Sequence, residues 1–339
     1  MPSSRGSSGS CSTMPCNGWC APSNAARRNC TAPGCDATET APRGVTGPFT
    51  VLSRGIAMLR LLMLLLVIAF PASAETIRLG DRAYRIDLPP RATGAPIILA
   101  LHGGGGSADQ FARSSGLSGP ANRQGYAVIY PEGTGRAGTW NGGYCCGAAQ
   151  RQRIDDIAFL DAVIADAVAR FRLDGGRVYV TGMSNGAIMA ETYAALRPAR
   201  VRAVAGVAGT MDTRRFRPTG PVPLLHIHGT ADSMVPYAGG QGDTSLTRTR
   251  FASVASVEAA FLAPFPVLAR TERVIDGADD GMRVIERNYT DSRGVTQLRI
   301  LTIEGGGHAW PGSRRAARQG GTADITANAE VLRFFAEHP

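Results

Sequence analysis

The stretch that most constrains the fold is Gly182-Met183-Ser184-Asn185-Gly186. It follows a run rich in β-branched residues (177–181) and precedes an apolar stretch (187–196), so a strand, a tight turn and a helix are predicted in succession. A serine in a strained turn needs small neighbours two positions away on each side, and both positions hold glycine. Free N–H groups at the start of the helix would stabilise a negative charge beside the serine. The pattern predicts that Ser184 is a nucleophile.

Two later segments supply the groups that a serine nucleophile needs, a base and an acid that orients the base. Asp232 comes directly after the predicted buried strand 222–228, where open α/β sheets place their sites. His308 follows the last predicted strand and is flanked by glycines, which places it in a loop and not in the core. The order serine, aspartate, histidine is that of the α/β-hydrolase triad.

A glycine-rich loop after an early strand, His102-Gly103-Gly104-Gly105-Gly106, predicts an oxyanion hole. Its glycines allow the Gly103 N–H to turn inward, where it would act together with the N–H of Asn185. The alternative is a phosphate-binding loop. That alternative is disfavoured because the Lys-Ser/Thr of a P-loop and the G-x-G-x-x-G register are both missing.

Apolar runs that alternate with helical periodicity predict an α/β fold with a mostly parallel, doubly wound sheet. An antiparallel hairpin (76–79 and 83–88) forms its N-terminal edge. The other predicted strands are 96–101, 126–130, 177–181, 201–208, 222–228, 284–289 and 298–303, and the predicted helices are 108–124, 154–171, 187–196, 254–262 and 325–337.

The first 74 residues differ in character from the rest. Residues 58–74 combine Arg60, an apolar stretch and a final Ala72-Ser73-Ala74, which predicts a secretory signal peptide; an uncleaved anchor is the alternative. Residues 1–57 hold five of the seven cysteines without apolar periodicity, and we interpret them as an upstream misreading before a start at Met58. A disulfide or zinc module is the alternative there, although its spacings are irregular. The catalytic domain is predicted over 75–339.

The net charge of +9 is carried entirely by arginine, because the chain has no lysine. The arginines are scattered and form no run or helical stripe. Nucleic-acid binding is therefore not expected. After signal cleavage no stable membrane anchor is expected either.

Several other side chains have two interpretations. His226 and His228 face one side of a strand and could bind a metal, but no third ligand lies near them in the sequence, so packing is favoured and no metal is predicted. His102 is expected to brace the oxyanion loop, and Asp155 and Asp156 to begin a helix. The remaining candidates are Cys145 and Cys146, either a vicinal disulfide or thiols, and Trp140 and Trp310, either substrate contacts or packed rings.

Six motifs taken together resemble the esterase family of polyhydroxybutyrate depolymerases, which includes feruloyl and acetylxylan esterases. They are the 101–106 loop, Tyr130-Pro131-Glu132-Gly133, residues 140–147, the Asp155-Asp156-x-x-Phe159-Leu160 segment, the 182–186 elbow and residues 306–312. The resemblance covers nearly all of 76–339. It implies an α/β-hydrolase fold, no cofactor, and Ser184, Asp232 and His308 as nucleophile, orienting acid and base.

Two departures from the family pattern bear on the substrate. The chain ends at its closing helix without the extra binding domain usual in polymer-degrading members, and segment 273–296 lacks the cysteine pair of many relatives. Both departures favour soluble esters or oligomers over crystalline polymer. The sequence thus predicts an exported or periplasmic serine esterase acting on feruloyl or acetyl esters or on hydroxyalkanoate oligomers. A non-catalytic binding protein and an amidase or peptidase of the same fold are the alternatives.

Overall fold

The computed structural model describes residues 74–245, 247–266 and 268–339, which all belong to one compact unit of the chain. The predicted upstream extension (1–57) and signal peptide (58–74) lie outside the described residues, apart from Ala74, which begins the first strand. Among the described residues, no helix has both the length and the apolar character needed to cross a bilayer.

A ten-stranded sheet runs through the described residues in the order β1-β2-β4-β3-β5-β6-β7-β10-β9-β8. The six central strands, β4-β3-β5-β6-β7-β10, pair in parallel. The outer strands, β1 and β2 on one side and β9 and β8 on the other, pair antiparallel. The strands are β1 (Ala74–Leu79), β2 (Arg82–Asp87), β3 (Pro96–Leu101), β4 (Ala127–Pro131), β5 (Asp174–Met183), β6 (Val201–Val207), β7 (Leu224–Gly229), β8 (Ala269–Ile275), β9 (Arg283–Thr290) and β10 (Thr296–Glu304).

Helices cover both faces of this sheet, which explains the continuous apolar runs of its inner strands. In β3, Ile97 and Leu99 join the core on one face, while Ile98 and Ala100 join the core on the other. The helices are α1 (Ala108–Ser115), α2 (Ser118–Arg123), α3 (Gly147–Arg151), α4 (Asp156–Phe171), α5 (Asn185–Leu196), α6 (Val254–Leu262) and α7 (Ala327–Ala336), with a short 3₁₀ helix at Ala317–Gln319.

The predicted fold class is confirmed, with differences in detail. The predicted crossover helix 108–124 is two helices, because Gly116 adopts a left-handed conformation (φ 63°) that ends α1. Strand β8 was not predicted from the sequence. It extends β9, so the C-terminal edge of the sheet is antiparallel as well as the N-terminal edge.

Candidate active site

Ser184 lies between β5 and α5 in a turn that only small neighbours permit. Its backbone has φ 57° and ψ −124°, a conformation unfavourable for a residue with a side chain. A Cβ at Gly182 would collide with the Gly186 carbonyl, and a Cβ at Gly186 would collide with the Leu101 carbonyl. The two glycines of the sequence motif therefore let α5 start against β3 and β5, with Ser184 at the carboxyl end of β5.

Asp232 and His308 come from neighbouring loops and meet directly. The distance from His308 Nδ1 to Asp232 Oδ2 is 2.8 Å, and the other carboxylate oxygen accepts the backbone N–H groups of Met234 and Val235 at 2.8 and 2.9 Å. The two loops are also joined by the backbone, because the Ala231 N–H donates to the Gly306 carbonyl at 2.8 Å. The aspartate thus holds the imidazole in a fixed orientation, with Nδ1 as the donor.

The ionised form of Asp232 is favoured although the residue is buried. Burial alone would raise the pKa of this carboxyl group. The His228 and His308 imidazoles, both beside Asp232 Oδ2, outweigh burial and hold the pKa of Asp232 well below its usual range. An acid that orients an imidazole must stay ionised, and these contacts meet that requirement.

The glycine-rich loop 102–106, the predicted oxyanion loop, lies against Ser184 and is braced by His102. A Cβ at Gly103 would be 3.4 Å from the Ser184 Cβ, so the loop backbone passes beside Ser184. His102 Nδ1 donates to the Gly103 carbonyl and its Nε2 accepts the Gly133 N–H, both at 2.9 Å. Burial lowers the pKa of His102 to about 4, so its ring is neutral near pH 7 and serves as both donor and acceptor.

A cavity of about 440 Å³ brings the predicted residues together. Gly103, Ser184, Asn185 and His308 all line it. Among the described residues, the Ser184 hydroxyl makes no hydrogen bond to His308; such contacts are often long in a free enzyme and shorten in its complexes. Other lining residues, which sequence reasoning did not identify, include Gln110, Phe111, Met234, Ser245, Thr247, Phe251 and Gln319. Their side chains are uncharged, so no charge pattern in the sequence marked them.

The structure corrects the predicted substrate contacts of Trp140 and Trp310. Both rings are buried (0% and 2% exposed), and neither is among the residues that line the cavity. Trp140 Nε1 donates to the His102 carbonyl at 2.9 Å, and Trp310 Nε1 donates to Asn328 Oδ1 at 3.0 Å. The rings are held by these bonds and support the loops that carry the site.

Asp155 and Asp156, at the start of α4, have structural roles. Asp155 caps α4 by accepting the Ala158 N–H at 2.9 Å. Asp156 accepts from Arg82 and from the Asn141 N–H, each at 2.7 Å, and so ties the loop before α3 to the sheet edge. Neither carboxylate lines the cavity beside Ser184.

The cysteine pair borders the cavity, whereas His226 and His228 do not line it. Cys145 and Cys146 are joined as a vicinal disulfide, and Cys146 lines the cavity. His226 and His228 lie side by side on β7, buried behind Asp232. No group of three or more His, Cys, Asp or Glu side chains in the described part of the chain is arranged to hold a metal ion.

Comparison with known proteins agrees with this architecture. The family model described as esterase PHB depolymerase matches residues 82–213. The proposed esterase NocK of Nocardia uniformis subsp. tsuyamanensis is 34% identical over 247 residues, which are 68% of this chain and 71% of NocK. Feruloyl esterase B of Piromyces equi is 32% identical over 154 residues, 43% of this chain but only 28% of that enzyme.

Solved structures show the same fold at much lower identity. The acetyl xylan esterase from Aspergillus awamori superposes with a TM-score of 0.54 and 15% identity, covering 78% of this chain and 99% of that enzyme. The fold, the relatives and the serine turn define a serine-type carboxylic ester hydrolase with an α/β-hydrolase fold. Within that class, the chain belongs to the family of polyhydroxybutyrate depolymerase-like and feruloyl esterase-like esterases.

Proposed function

We propose that the protein is an exported esterase that works through a triad of Ser184, His308 and Asp232. The observation that carries the proposal is the 2.8 Å contact between Asp232 and His308, because His308 also lines the cavity that holds Ser184. His308 Nε2 takes the serine proton as Ser184 attacks the ester carbonyl, and then gives that proton to the leaving alcohol. Water activated by the same nitrogen releases the acid from the acyl-enzyme.

The N–H groups of Gly103 and Asn185 hold the oxyanion in this mechanism. The Asn185 N–H is the first of α5, where the helix itself supplies no acceptor. Gly103 approaches the nucleophile from the opposite loop. Two preorganised amide donors beside the attacked carbonyl stabilise the charge that develops in the transition state.

For the substrate we propose neutral esters with a feruloyl or acetyl acyl group. Apart from His308, the side chains that line the cavity are uncharged, and Met183, Met234, Val235 and Phe251 give it apolar walls. Feruloyl and acetylxylan esterases among the relatives support the same choice. Hydroxyalkanoate oligomers are the second candidate, favoured by the family description that matches residues 82–213.

Hydrolysis of nitrophenyl acetate, nitrophenyl butyrate, methyl ferulate and hydroxybutyrate oligomers tests the proposal. Ser184→Ala is expected to abolish turnover, while the matched control Ser256→Ala, in α6, is expected to retain it. Labelling by a fluorophosphonate and peptide mapping is expected to place the adduct on Ser184. Turnover or labelling that survives in folded Ser184→Ala would show that another residue is the nucleophile. The preferred ester decides between the two substrate candidates.

Export is proposed from the signal-peptide pattern of residues 58–74, which leaves a catalytic domain over 75–339. N-terminal sequencing of the protein from the natural host's culture medium or periplasm is expected to begin at Glu75. A natural product that keeps Cys11 to Cys35 would contradict both the cleavage site and the assignment of residues 1–57 as an upstream misreading.

A further inference from the structure

A chain of three buried polar side chains lies behind Asp232, on the side away from the cavity. Glu191 on α5 and His226 and His228 on β7 are at most 1% exposed. Glu191 Oε1 is 2.7 Å from His226 Nδ1, and His226 Nε2 is 3.1 Å from His228 Nδ1. His228 Nε2 is 3.4 Å from Asp232 Oδ2, the oxygen that also contacts His308.

The acceptors at the two ends of this chain fix the direction of its hydrogen bonds. His228 Nε2 lies 2.8 Å from the Val235 carbonyl, which can only accept, so Nε2 carries a proton. Burial lowers the pKa of His228 and keeps its ring neutral, so its Nδ1 accepts a proton from His226 Nε2. His226 Nδ1 and Glu191 Oε1 share one proton across their 2.7 Å contact. The other Glu191 oxygen accepts the Met211 N–H at 2.8 Å.

The fold makes room for this chain at one position. Gly206 on β6 pairs with His226 on β7, and a Cβ there would collide with Glu191 Oε1. Gly206 has no left-handed backbone that would require glycine for conformational reasons. Its missing side chain is the space through which the Glu191 carboxylate reaches His226.

We propose that Glu191, His226 and His228 are positioning residues that fix the single Nε2–H of His228 between the Val235 carbonyl at 2.8 Å and the Asp232 carboxylate at 3.4 Å. This proposal rests on the triad proposed above. Asp232 Oδ2 then lies between two imidazole donors, His228 from behind and His308 from the cavity. The chain sets where that oxygen lies and how much of its charge His308 receives.

The ionisable groups that face this chain come from four parts of the fold. The residues that pair directly with the two histidines, Gly206 on β6 and Thr302 on β10, are not ionisable. The facing ionisable groups are Glu191 from α5, His226 and His228 from β7, Asp232 and Tyr237 from the loop after β7, and His308 from the loop after β10.

Three variants test the proposal, with kcat and KM for a nitrophenyl ester measured across pH. Glu191→Leu fills the space but cannot hydrogen-bond, and kcat is expected to fall about tenfold, the equivalent of one lost hydrogen bond. Glu191→Gln can accept from Met211 and donate to His226, so it is expected to restore most of that loss. Gly206→Ala displaces the carboxylate and is expected to lower kcat in the same direction.

In the impaired variants KM is expected to stay unchanged, because Glu191 does not line the cavity. The acid limb of the pH profile of kcat/KM is expected to move to higher pH. Without a firm donor in His228, Asp232 gives more of its charge to His308, which then keeps its proton to higher pH and cannot act as a base.

Glu286→Gln is the matched control, because Glu286 is a buried glutamate on β9 that pairs with Arg273 and Arg299. It is expected to lower thermal stability without moving the pH profile. If Glu191→Leu loses stability alone, with the wild-type profile and kcat, the chain is merely structural and the proposal is overturned. If Glu191→Leu does not fold, Gly206→Ala decides the same question.

Nitrogen NMR of the wild-type protein labelled in histidine tests the chain independently of activity. His228 is expected as the Nε2–H tautomer and His226 with a proton on Nε2. An Nδ1–H tautomer at His228 would overturn the proposal even if all variants fold poorly. Failure of the triad would appear separately, as turnover surviving in Ser184→Ala with these tautomers unchanged.

Discussion

The side chain of Asn185 and the backbone of Trp140 form two hydrogen bonds with each other. The Trp140 N–H donates to Asn185 Oδ1 at 2.8 Å, and Asn185 Nδ2 donates to the Trp140 carbonyl at 3.0 Å. The indole of Trp140 in turn donates to the His102 carbonyl. Asn185, the residue after Ser184, is thereby linked to the glycine-rich loop 102–106, so the two proposed amide donors are held by one connected set of bonds.

Asn185→Ala keeps the proposed amide donor but removes both side-chain bonds. We expect the free energy of unfolding to fall by about 2 kcal/mol, because two buried hydrogen bonds are lost. We also expect a lower kcat, since the loops that hold the oxyanion lose their link. Asn288→Ala is the control, because its side chain also makes two hydrogen bonds, far from the site on β9. Urea unfolding and steady-state kinetics measure both effects; equal kcat losses in the two variants would contradict this reasoning.

Asp232→Asn tests the orienting acid. An amide at this position can donate to His308 Nδ1 and so favours the wrong tautomer of the base. We expect kcat to fall by about three to four orders of magnitude, as in other serine triads. Circular dichroism checks that the variant is folded; a folded variant with more than about a tenth of wild-type kcat would exclude Asp232 from this role.

The same substitution changes how stability depends on pH. The pKa of Asp232 is depressed in the folded protein, so its contribution to stability is complete above about pH 4, the usual value for an unfolded aspartate. That contribution is lost as the pH falls further towards the folded pKa. We therefore expect the wild-type protein to lose stability below about pH 4 more steeply than Asp232→Asn. Denaturant unfolding at acidic pH measures the difference, and parallel curves would contradict it.

His102 makes the stability of the fold depend on pH over a higher pH range than Asp232 does. Its pKa is about 4 in the folded protein and about 6.5 in an unfolded chain. Between these values the unfolded chain binds a proton that the folded protein does not, so stability falls as the pH is lowered through this window. The loss due to His102 is expected to reach roughly 3 kcal/mol. His102→Gln, compared with wild type by urea unfolding at several pH values, is expected to lack that part of the slope. Identical slopes would show that His102 is not the group responsible.

Gly186→Ala tests the close approach of α5 to β3. The added methyl group would collide with the Leu101 and His102 carbonyls, and we expect a loss of about 1–3 kcal/mol together with reduced kcat. Gly119→Ala in α2 is the control, because a Cβ there has ordinary contacts only. Thermal unfolding of both variants measures the difference, and similar melting temperatures would show that the elbow is not tightly packed.

Local patterns in the sequence were enough to predict much of this molecule. Ser184 is marked by glycines whose absence of side chains is a steric requirement, and Asp232 and His308 follow apolar runs that had to be inner strands. Patterns of this kind involve residues close together in the chain, so they can be recognised from the sequence alone. Strand β8 carries no such mark, because it lies at the sheet edge with mostly exposed residues and no apolar alternation.

Contacts between distant segments could not be predicted in the same way. In the sequence, Glu191 is an acid within a helix and Gly206 a glycine within a strand, and neither position indicates a partner. Only the pairing of β6 with β7 brings Gly206 beside His226, and only the packing of α5 on that sheet brings Glu191 there. For Trp140 and Trp310 the sequence suggested a contact that the structure does not have. Large aromatic residues in loops near a site suggest substrate contact until their burial is known.

Helix α5 is buried on every side, from Asn185 to Ala195. A helix with no exposed face cannot loosen while the domain around it stays folded. We therefore expect its amide hydrogens to exchange with solvent only when the whole domain opens. Ser184 stands at the start of this helix, so we expect the proposed nucleophile to stay in place until the domain unfolds. We then expect heat inactivation of the enzyme to proceed at the rate of global unfolding.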